Sequence, residues 1–161
     1  MENIIIDDNN INKHKVKISL PYVRAVLFYN DNVLVEKNCD GSIILPGTVV
    51  NCPAKEYLIK DLSKKLGYNM MESDLTKFLF LDHYCNGVIF DDSLIETDYY
   101  YGRYKGIDFT KTLKNNINLL KLINIDELIE MTSISYEDEG VNFSNKETHE
   151  ALKVFKKIKN R

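Results

Sequence analysis

A single bounded helix constrains the fold of this chain more than any other feature of its sequence. Leu58, Leu62 and Leu66 recur every four residues, so they form one apolar stripe along a helix. Pro53 fits the first turn of a helix, and Gly67, directly after the stripe, is a common stop signal. The pattern therefore predicts an amphipathic helix from Pro53 to Leu66, which packs through its leucines against a larger apolar surface.

Short β-branched and aromatic runs surround this helix, and such runs are typical of strands. The turn residues 30–32 lie between Val23–Tyr29 and Val33–Val35, so they predict a β-hairpin. The other predicted elements are strands at 42–45, 77–83, 95–104 and 118–122 and helices at 125–131 and 146–159. This order, without a repeat or a Gly/Ser linker, predicts one mixed α/β domain over residues 16–161. The polar residues 1–15 predict a flexible N-terminal arm or a weak edge strand.

The composition excludes several classes of partner. The 161 residues carry a formal charge of −3, and non-specific nucleic-acid binding needs a basic surplus, so no nucleic-acid partner is predicted. The sequence contains neither an apolar run of membrane-spanning length nor a signal peptide, so we expect a soluble, cytoplasmic protein without a membrane partner. The three cysteines are odd in number and lack metal-ligand spacing, which predicts free thiols.

The segment from Val23 to Tyr68 resembles the first half of a Nudix domain. It begins with a Val-Arg-Ala-Val strand, returns through the hairpin and reads Leu45-Pro46-Gly47 before the helix. The order of the later elements is similar to that of the family as well, so the resemblance extends over residues 18–159. The resemblance implies a Nudix-type α/β/α sandwich with a mixed central sheet.

The resemblance also assigns a role to the helix, because the family holds its divalent metals with glutamates on this element. Aligned on Gly67, the signature positions are occupied by Cys52, Lys60, Asp61, Leu62, Lys64 and Lys65. Lys64 and Lys65 replace the two adjacent glutamates that bind metal in the family. Residues at i, i+3 and i+4 share one helix face, so Asp61, Lys64 and Lys65 are predicted to lie together. Mg²⁺ requires several oxygen ligands, and one aspartate beside two lysines predicts weak metal binding.

Two interpretations of this helix face remain open. In the first, Asp61 pairs with Lys64 and Lys65 on a solvated surface. In the second, the two lysines replace the metal and neutralise a bound phosphate directly, since lysine binds phosphate as a point charge. The resemblance adds Lys60 at the signature arginine and Arg24 in the first strand as candidate ligand-binding residues.

Additional acidic residues are candidate catalytic groups if a metal site has been rebuilt. Glu56 lies earlier on the helix, five residues before Asp61 and therefore off its face. Glu137, Asp138 and Glu139 lie between the last two helices, where the family often contributes a further acid. Mg²⁺ is the expected cofactor only if these acids support hydrolysis.

Tyrosines in the predicted strand at 95–104 are a second candidate contact for a ligand. Side chains alternate along a strand, so Tyr99 and Tyr101 share one face while Tyr100 and Tyr104 share the other. Such rings stack on a base or pack in the core. We take Tyr99 and Tyr101 as candidate ligand-binding residues. His83 and His149 lack a partner at catalytic or metal spacing, so no catalytic role is predicted for them.

Three functions fit these observations. The first is a Nudix-like domain that binds a nucleoside diphosphate derivative or another phosphate-containing small molecule, with weak or absent hydrolysis. The second is a Nudix hydrolase that cleaves a phosphoanhydride through a non-standard metal site. The third is a non-catalytic scaffold that uses its surface for protein contacts, with a homodimer as one form. Metal dependence distinguishes the first two functions, and ligand binding of any kind distinguishes them from the third.

Overall fold

The computed structural model describes residues 1–7, 16, 18–37, 42–52, 54–85, 93–112, 120–134 and 143–161. The strands in chain order are β1 (Glu2–Asp7), β2 (Ile18–Tyr29), β3 (Asn32–Lys37), β4 (Ile43–Ile44), β5 (Gly47–Val49), β6 (Thr76–Cys85), β7 (Ser93–Arg103) and β8 (Leu120–Asn124). The helices are α1 (Lys55–Leu66), α2 (Ile125–Ile134) and α3 (Phe143–Lys159), with a short 3₁₀ turn at Glu72–Asp74. The predicted mixed α/β architecture is confirmed.

The described strands form one mixed sheet with the order β1-β6-β7-β2-β3-β4, while β5 pairs with β2 and β8 pairs with β3. β1 runs parallel to β6, and β2 runs parallel to β7. The other strand pairs are antiparallel. The longest parallel pairing joins residues 18–28 to residues 93–103. This pair forms the middle of the sheet and carries core side chains on both faces.

Alternation along β2 divides the core between the two faces of the sheet. Ala25 and Leu27 point to the face that α1 covers with its leucine stripe. Val26 points to the opposite face, where Leu128 of α2 and Phe155 of α3 pack. Helices therefore cover both faces of the sheet. The α/β/α sandwich that the resemblance implied is confirmed.

The β2–β3 hairpin turns where the sequence predicts. Tyr29 pairs with Asn32 across the turn. Asn30 has a φ of 52°, which lies in the left-handed region that asparagine tolerates better than most residues. The backbone N–H of Ile125 donates a hydrogen bond of 2.8 Å to the Asp31 carbonyl, so the turn also anchors the start of α2.

Helix α1 begins later than predicted and ends as predicted. Its N-cap residue is Ala54, which makes no side-chain capping hydrogen bond, and the helix starts at Lys55. Pro53 lies outside the described residues. At the other end, Gly67 adopts a φ of 79° and donates its N–H to the Ser63 carbonyl at 2.9 Å. The stop signal was reliable because glycine adopts this conformation without the steric cost of a Cβ atom.

The ends of the chain differ in detail from the predictions. Residues 2–7 form the edge strand β1, which was one of the two alternatives for residues 1–15, and residues 8–15 lie outside the described part. The strand predicted at 118–122 is described as β8 from Leu120 to Asn124. α3 begins at Phe143, three residues before the predicted start. No helix in the described ranges is long and apolar enough to cross a membrane.

Candidate functional site

The last turn of α1 carries a lysine that is surrounded by oxygen atoms. The Lys65 ammonium nitrogen lies 2.9 Å from a carboxylate oxygen of Glu36 and 2.9 Å from one of Asp61. It also donates a hydrogen bond of 3.0 Å to the Gly47 carbonyl. We call Lys65, Asp61, Glu36 and the Gly47 carbonyl the Lys65 cluster. Three separate elements, α1, β3 and β5, thus converge on one positive charge.

The Lys65 cluster is largely shielded from solvent. The side chains of Lys65, Glu36 and Asp61 are 15%, 17% and 22% exposed. The Asp61 oxygen that faces Lys65 is buried without a hydrogen bond of good geometry to any described group, so its contact with Lys65 is an ion pair. Partial desolvation strengthens such attractions, and removal of one partner leaves the others unpaired at a cost.

The turn at Leu45-Pro46-Gly47 is held from both sides by cations. Arg24 donates from its guanidinium to the Leu45 carbonyl at 2.9 Å, and its charge also lies over the Tyr22 ring. A Cβ atom on Gly47 would lie 2.0 Å from the Val23 carbonyl oxygen, so only glycine fits this approach. The close approach fixes the Gly47 carbonyl where Lys65 can reach it.

These residues do not fit a divalent metal. Mg²⁺ requires oxygen ligands at about 2.0–2.1 Å in a near-octahedral arrangement. Here the ammonium of Lys65 already occupies the space between the oxygens of Glu36, Asp61 and Gly47. Within the described ranges, no group of three or more His, Cys, Asp or Glu side chains lies close enough to hold a metal ion. The Lys65 ammonium therefore contacts the same oxygens that a metal ion would need.

Lys64 faces a different environment from its neighbour Lys65. With Lys60, it lines a cavity of about 870 Å³ on the outer side of α1. Neither lysine forms an ion pair with a residue that the structure describes. Tyr57, Tyr68 and Lys111 complete the basic and aromatic part of the lining. We call this space the α1 cavity.

The structure therefore separates residues that the sequence placed together. Asp61 and Lys65 pair, as in the first interpretation of the helix face, whereas Lys64 turns away from them. Consecutive helical residues are rotated by about 100°, so Lys64 and Lys65 point in clearly different directions from the axis. The single face predicted for Asp61, Lys64 and Lys65 is corrected to two: an inner pair and an outer lysine.

One wall of the α1 cavity is a turn that docks on the end of the helix. The Asp108 N–H donates to the Leu66 carbonyl at 2.8 Å, and the Lys111 N–H donates to the Asp108 carbonyl at 3.1 Å. The Asp108 carboxylate accepts hydrogen bonds from the Thr110 hydroxyl and backbone N–H, which lowers the pKa of Asp108. Ordered hydrogen bonds therefore position the segment that carries Lys111.

Comparison with solved structures identifies the fold that presents these residues. The MutT protein from Bacillus halodurans superposes with a TM-score of 0.53 and 15% identity, covering 69% of this chain and 72% of that one. An Ap4A hydrolase from C. elegans gives 0.53 and 10%, covering 88% and 98%. The NUDIX domain of Shewanella oneidensis NrtR, solved with ADP ribose, gives 0.53 and 16%, covering 88% and 90%.

This chain has the Nudix fold. No family model matches its sequence, and no curated protein matches it. The likeness therefore lies in the three-dimensional arrangement of the Nudix elements. The residues on the Nudix helix determine separately what the site can do.

Of the remaining acids predicted for a Nudix metal site, Glu56 lies within the described residues and does not join Asp61. Glu56 is exposed and lines the α1 cavity beside Lys60. Cys52, at the position of the earlier Nudix glutamate, is an exposed free thiol. The three acids predicted between the last two helices, Glu137, Asp138 and Glu139, lie outside the described residues.

The tyrosine strand of this Nudix fold alternates as predicted, but one candidate ring is inaccessible. Tyr99 and Tyr101 lie on the α2–α3 side of the sheet, and Tyr100 and Tyr104 lie on the α1 side. Tyr99 is 1% exposed and packs against Phe78, and burial raises its pKa. The prediction that Tyr99 binds a ligand is therefore corrected to a core role.

Tyr101 is half-buried and separated from the lysines of α1. Its ring contacts Phe78 and Phe155 on the α2–α3 side of the sheet. Lys60 and Lys64 lie on the other side, with α1. The structure thus does not bring Tyr101 into one site with these lysines, because the sheet lies between them.

Glu36 and Lys111, which lie near α1, were not identified from the sequence. Glu36 follows Leu34 by two positions on β3, and that alternation places it on the same face as the core under α1. The spacing of Glu36 from Leu34 can be seen in the sequence. Its pairing with Lys65 depends on how α1 packs on the sheet. Lys111 belongs to a loop that gave no sequence signal, and its position depends on the docking of Asp108.

A buried histidine also has a partner that its sequence spacing did not reveal. His83 is fully buried, and its Nδ1 lies 3.3 Å from a carboxylate oxygen of Glu147 on α3. The pair joins β6 to α3 on the α2–α3 side of the sheet. It is separate from the Lys65 cluster, so it adds nothing to a Nudix site on α1.

Proposed function

We propose that this chain is a Nudix-like domain that binds a nucleoside diphosphate derivative or another phosphate-containing small molecule without a divalent metal, with weak or absent hydrolysis. The observation that carries the proposal is the Lys65 cluster. Its ammonium contacts the oxygens of Glu36, Asp61 and Gly47 that a metal would require. A tethered cation cannot activate water as a bound metal does.

The basic side chains left available on α1 support the binding half of the proposal. Lys60 and Lys64 are exposed and form no ion pair with any residue in the described ranges. Lysine binds phosphate without a metal, as a point charge. The NrtR domain with the same fold was solved with ADP ribose, which makes ADP-ribose a suitable first probe.

The proposal predicts that ADP-ribose binds in a calorimeter in the presence of a chelator. Added Mg²⁺ should leave the affinity unchanged, because the protein supplies the cation. Added salt should weaken binding, since screening reduces charge attraction. Chromatography after prolonged incubation with Mg²⁺ should recover the ligand intact.

Two results would contradict the proposal in different ways. Mg²⁺-dependent cleavage at about 1 per second or faster would identify a working hydrolase, with acids elsewhere in the chain as ligands. No binding of ADP-ribose, ADP or pyrophosphate would favour the scaffold function. A Lys65→Glu variant tests the role of Lys65 in excluding a metal. This variant should bind Mg²⁺ measurably more tightly than the unmodified protein, because a fourth oxygen group replaces the ammonium.

A further inference from the structure

We infer that the α1 cavity is the ligand site, and that it takes a compound in which a diphosphate is joined to an aromatic base. This inference rests on the proposed function and specifies its location and its ligand class. The phosphates would lie against Lys60, Lys64 and Lys111, and the base would stack on Tyr57.

The first argument is the local charge. Three lysines and one glutamate, Glu56, line the cavity of about 870 Å³, in a chain whose formal charge is −3. Positive charge concentrated in a concave surface attracts anions to that surface. The size is also that of a small-molecule site, since ligand pockets measure roughly 300–1,000 Å³.

The second argument is the spacing along α1. Lys60 and Lys64 lie four residues apart, so two like charges are adjacent on one face and disfavour the helix slightly. Lys64 gains from its place in the last turn, where the helix carries partial negative charge, but Lys60 lies outside that turn. A bound anion would relieve the repulsion between the two ammonium groups.

The third argument is the ring that borders the lysines. Tyr57, Lys60 and Lys64 stand at i, i+3 and i+7, which places them in one line along the helix surface. Tyr57 is 39% exposed and lines the cavity, whereas Tyr99 and Tyr101 pack in the core on the other side of the sheet. An aromatic ring at one end of a basic row fits a base at one end of a diphosphate.

The fourth argument is that the backbone that carries Lys111 is held in place. Its segment docks on α1 through the hydrogen bond between Asp108 and Leu66, and the side chain of Lys111 lies 4.0 Å from Asp108. Gly67 allows this docking, because a Cβ atom there would lie 2.5 Å from the Asp108 carbonyl oxygen. The backbone of the third lysine therefore approaches the cavity from a separate, docked segment.

The test is metal-free calorimetry with ADP-ribose and pyrophosphate on charge variants inside and outside the cavity. Lys60→Glu with Lys64→Glu should weaken binding of both probes by at least about 100-fold, since each lost charge-assisted contact is worth about tenfold or more. Lys121→Glu is the control, because Lys121 is exposed on β8 and lies outside the cavity lining. It should change either affinity by less than about threefold at moderate salt.

A second variant tests the ligand class separately. Tyr57→Ala should weaken ADP-ribose by roughly fivefold or more while leaving pyrophosphate unchanged, because only the former has a base to stack. Equal effects on both probes would overturn the assignment of the base. All exchanged side chains are exposed, and circular dichroism should verify that each variant is folded.

The outcomes separate this inference from the proposed function. If ADP-ribose binds the unmodified protein without metal and the Lys60/Lys64 double variant binds equally well, the cavity assignment fails and metal-free binding stands. If Lys121→Glu weakens binding as much as the double variant, the effect is one of general charge and the cavity assignment again fails. If no probe binds the unmodified protein, the proposed function fails first.

Discussion

At the scale of single residues, Lys65 is the charge that holds two acids and a carbonyl together. Its neighbour Lys64, with the same side chain, does nothing comparable, since it faces the α1 cavity. Identical residues one position apart thus have different roles because the helix rotates between them. The sequence identified both positions, and only the packing of α1 on β3 and β5 distinguished them.

Lys65→Met should lower the free energy of unfolding by about 1–2 kcal/mol, because Glu36 and Asp61 would be left facing each other without a cation. This loss is smaller than the loss expected from breaking a fully buried ion pair, because these groups are 15–22% exposed. Urea unfolding followed by circular dichroism provides the measurement. Lys64→Met is the matched control and should change stability by less than about 0.5 kcal/mol. Equal losses in the two variants would contradict the ion-pair role of Lys65.

At the scale of elements, the junction after α1 connects the fold to the candidate ligand site. Gly67 ends the helix in a left-handed conformation, and it also leaves room for the Asp108 carbonyl. The helix stop was predictable from the sequence because it depends on one residue and its neighbours. The docking of Asp108 was not, because it joins segments that are distant along the chain.

Gly67→Ala should destabilise the protein by about 2 kcal/mol or more, because it combines a strained φ with a contact of 2.5 Å to Asp108. Gly106→Ala is the matched control: Gly106 also has a positive φ, of 101°, but a Cβ atom there meets nothing within 4 Å. The difference between the two thermal unfolding shifts isolates the Asp108 contact. An equal or larger loss for Gly106→Ala would contradict the docking. ADP-ribose affinity should fall only for the Gly67 variant, because Lys111 moves with Asp108.

At the scale of the whole molecule, two apolar clusters on opposite faces of one sheet hold the sandwich together. Periodicity predicted the leucine stripe of α1 and the alternating faces of β7, and the resemblance to the Nudix family implied the sandwich that combines them. The N-terminal strand was ambiguous, because Ile4, Ile5 and Ile6 are too short a run to distinguish a strand from an arm. Its outcome depends on β6 being available as a partner.

The strand β1 gives a prediction of its own, because its three isoleucines differ in environment. Ile4 and Ile6 pack against the core on the α2–α3 side, whereas Ile5 is 62% exposed. Ile4→Ser with Ile6→Ser should lower stability by about 2 kcal/mol in total, for two partly buried side chains. Ile5→Ser should have almost no effect. If the unmodified protein, the double variant and Ile5→Ser are equally stable in urea, residues 2–7 do not dock on β6.

The parallel pairing of β2 with β7 also determines the order in which the molecule can assemble during synthesis. Residues 18–28 pair with residues 93–103, so the middle of the sheet must wait until the ribosome has made most of the chain. The β2–β3 hairpin and α1 are local in sequence and can form earlier. Until β7 emerges, one edge of β2 and the leucine stripe of α1 lack their final contacts. A nascent chain of this protein therefore exposes apolar surface until β7 has been made, and chaperones bind surface of this kind.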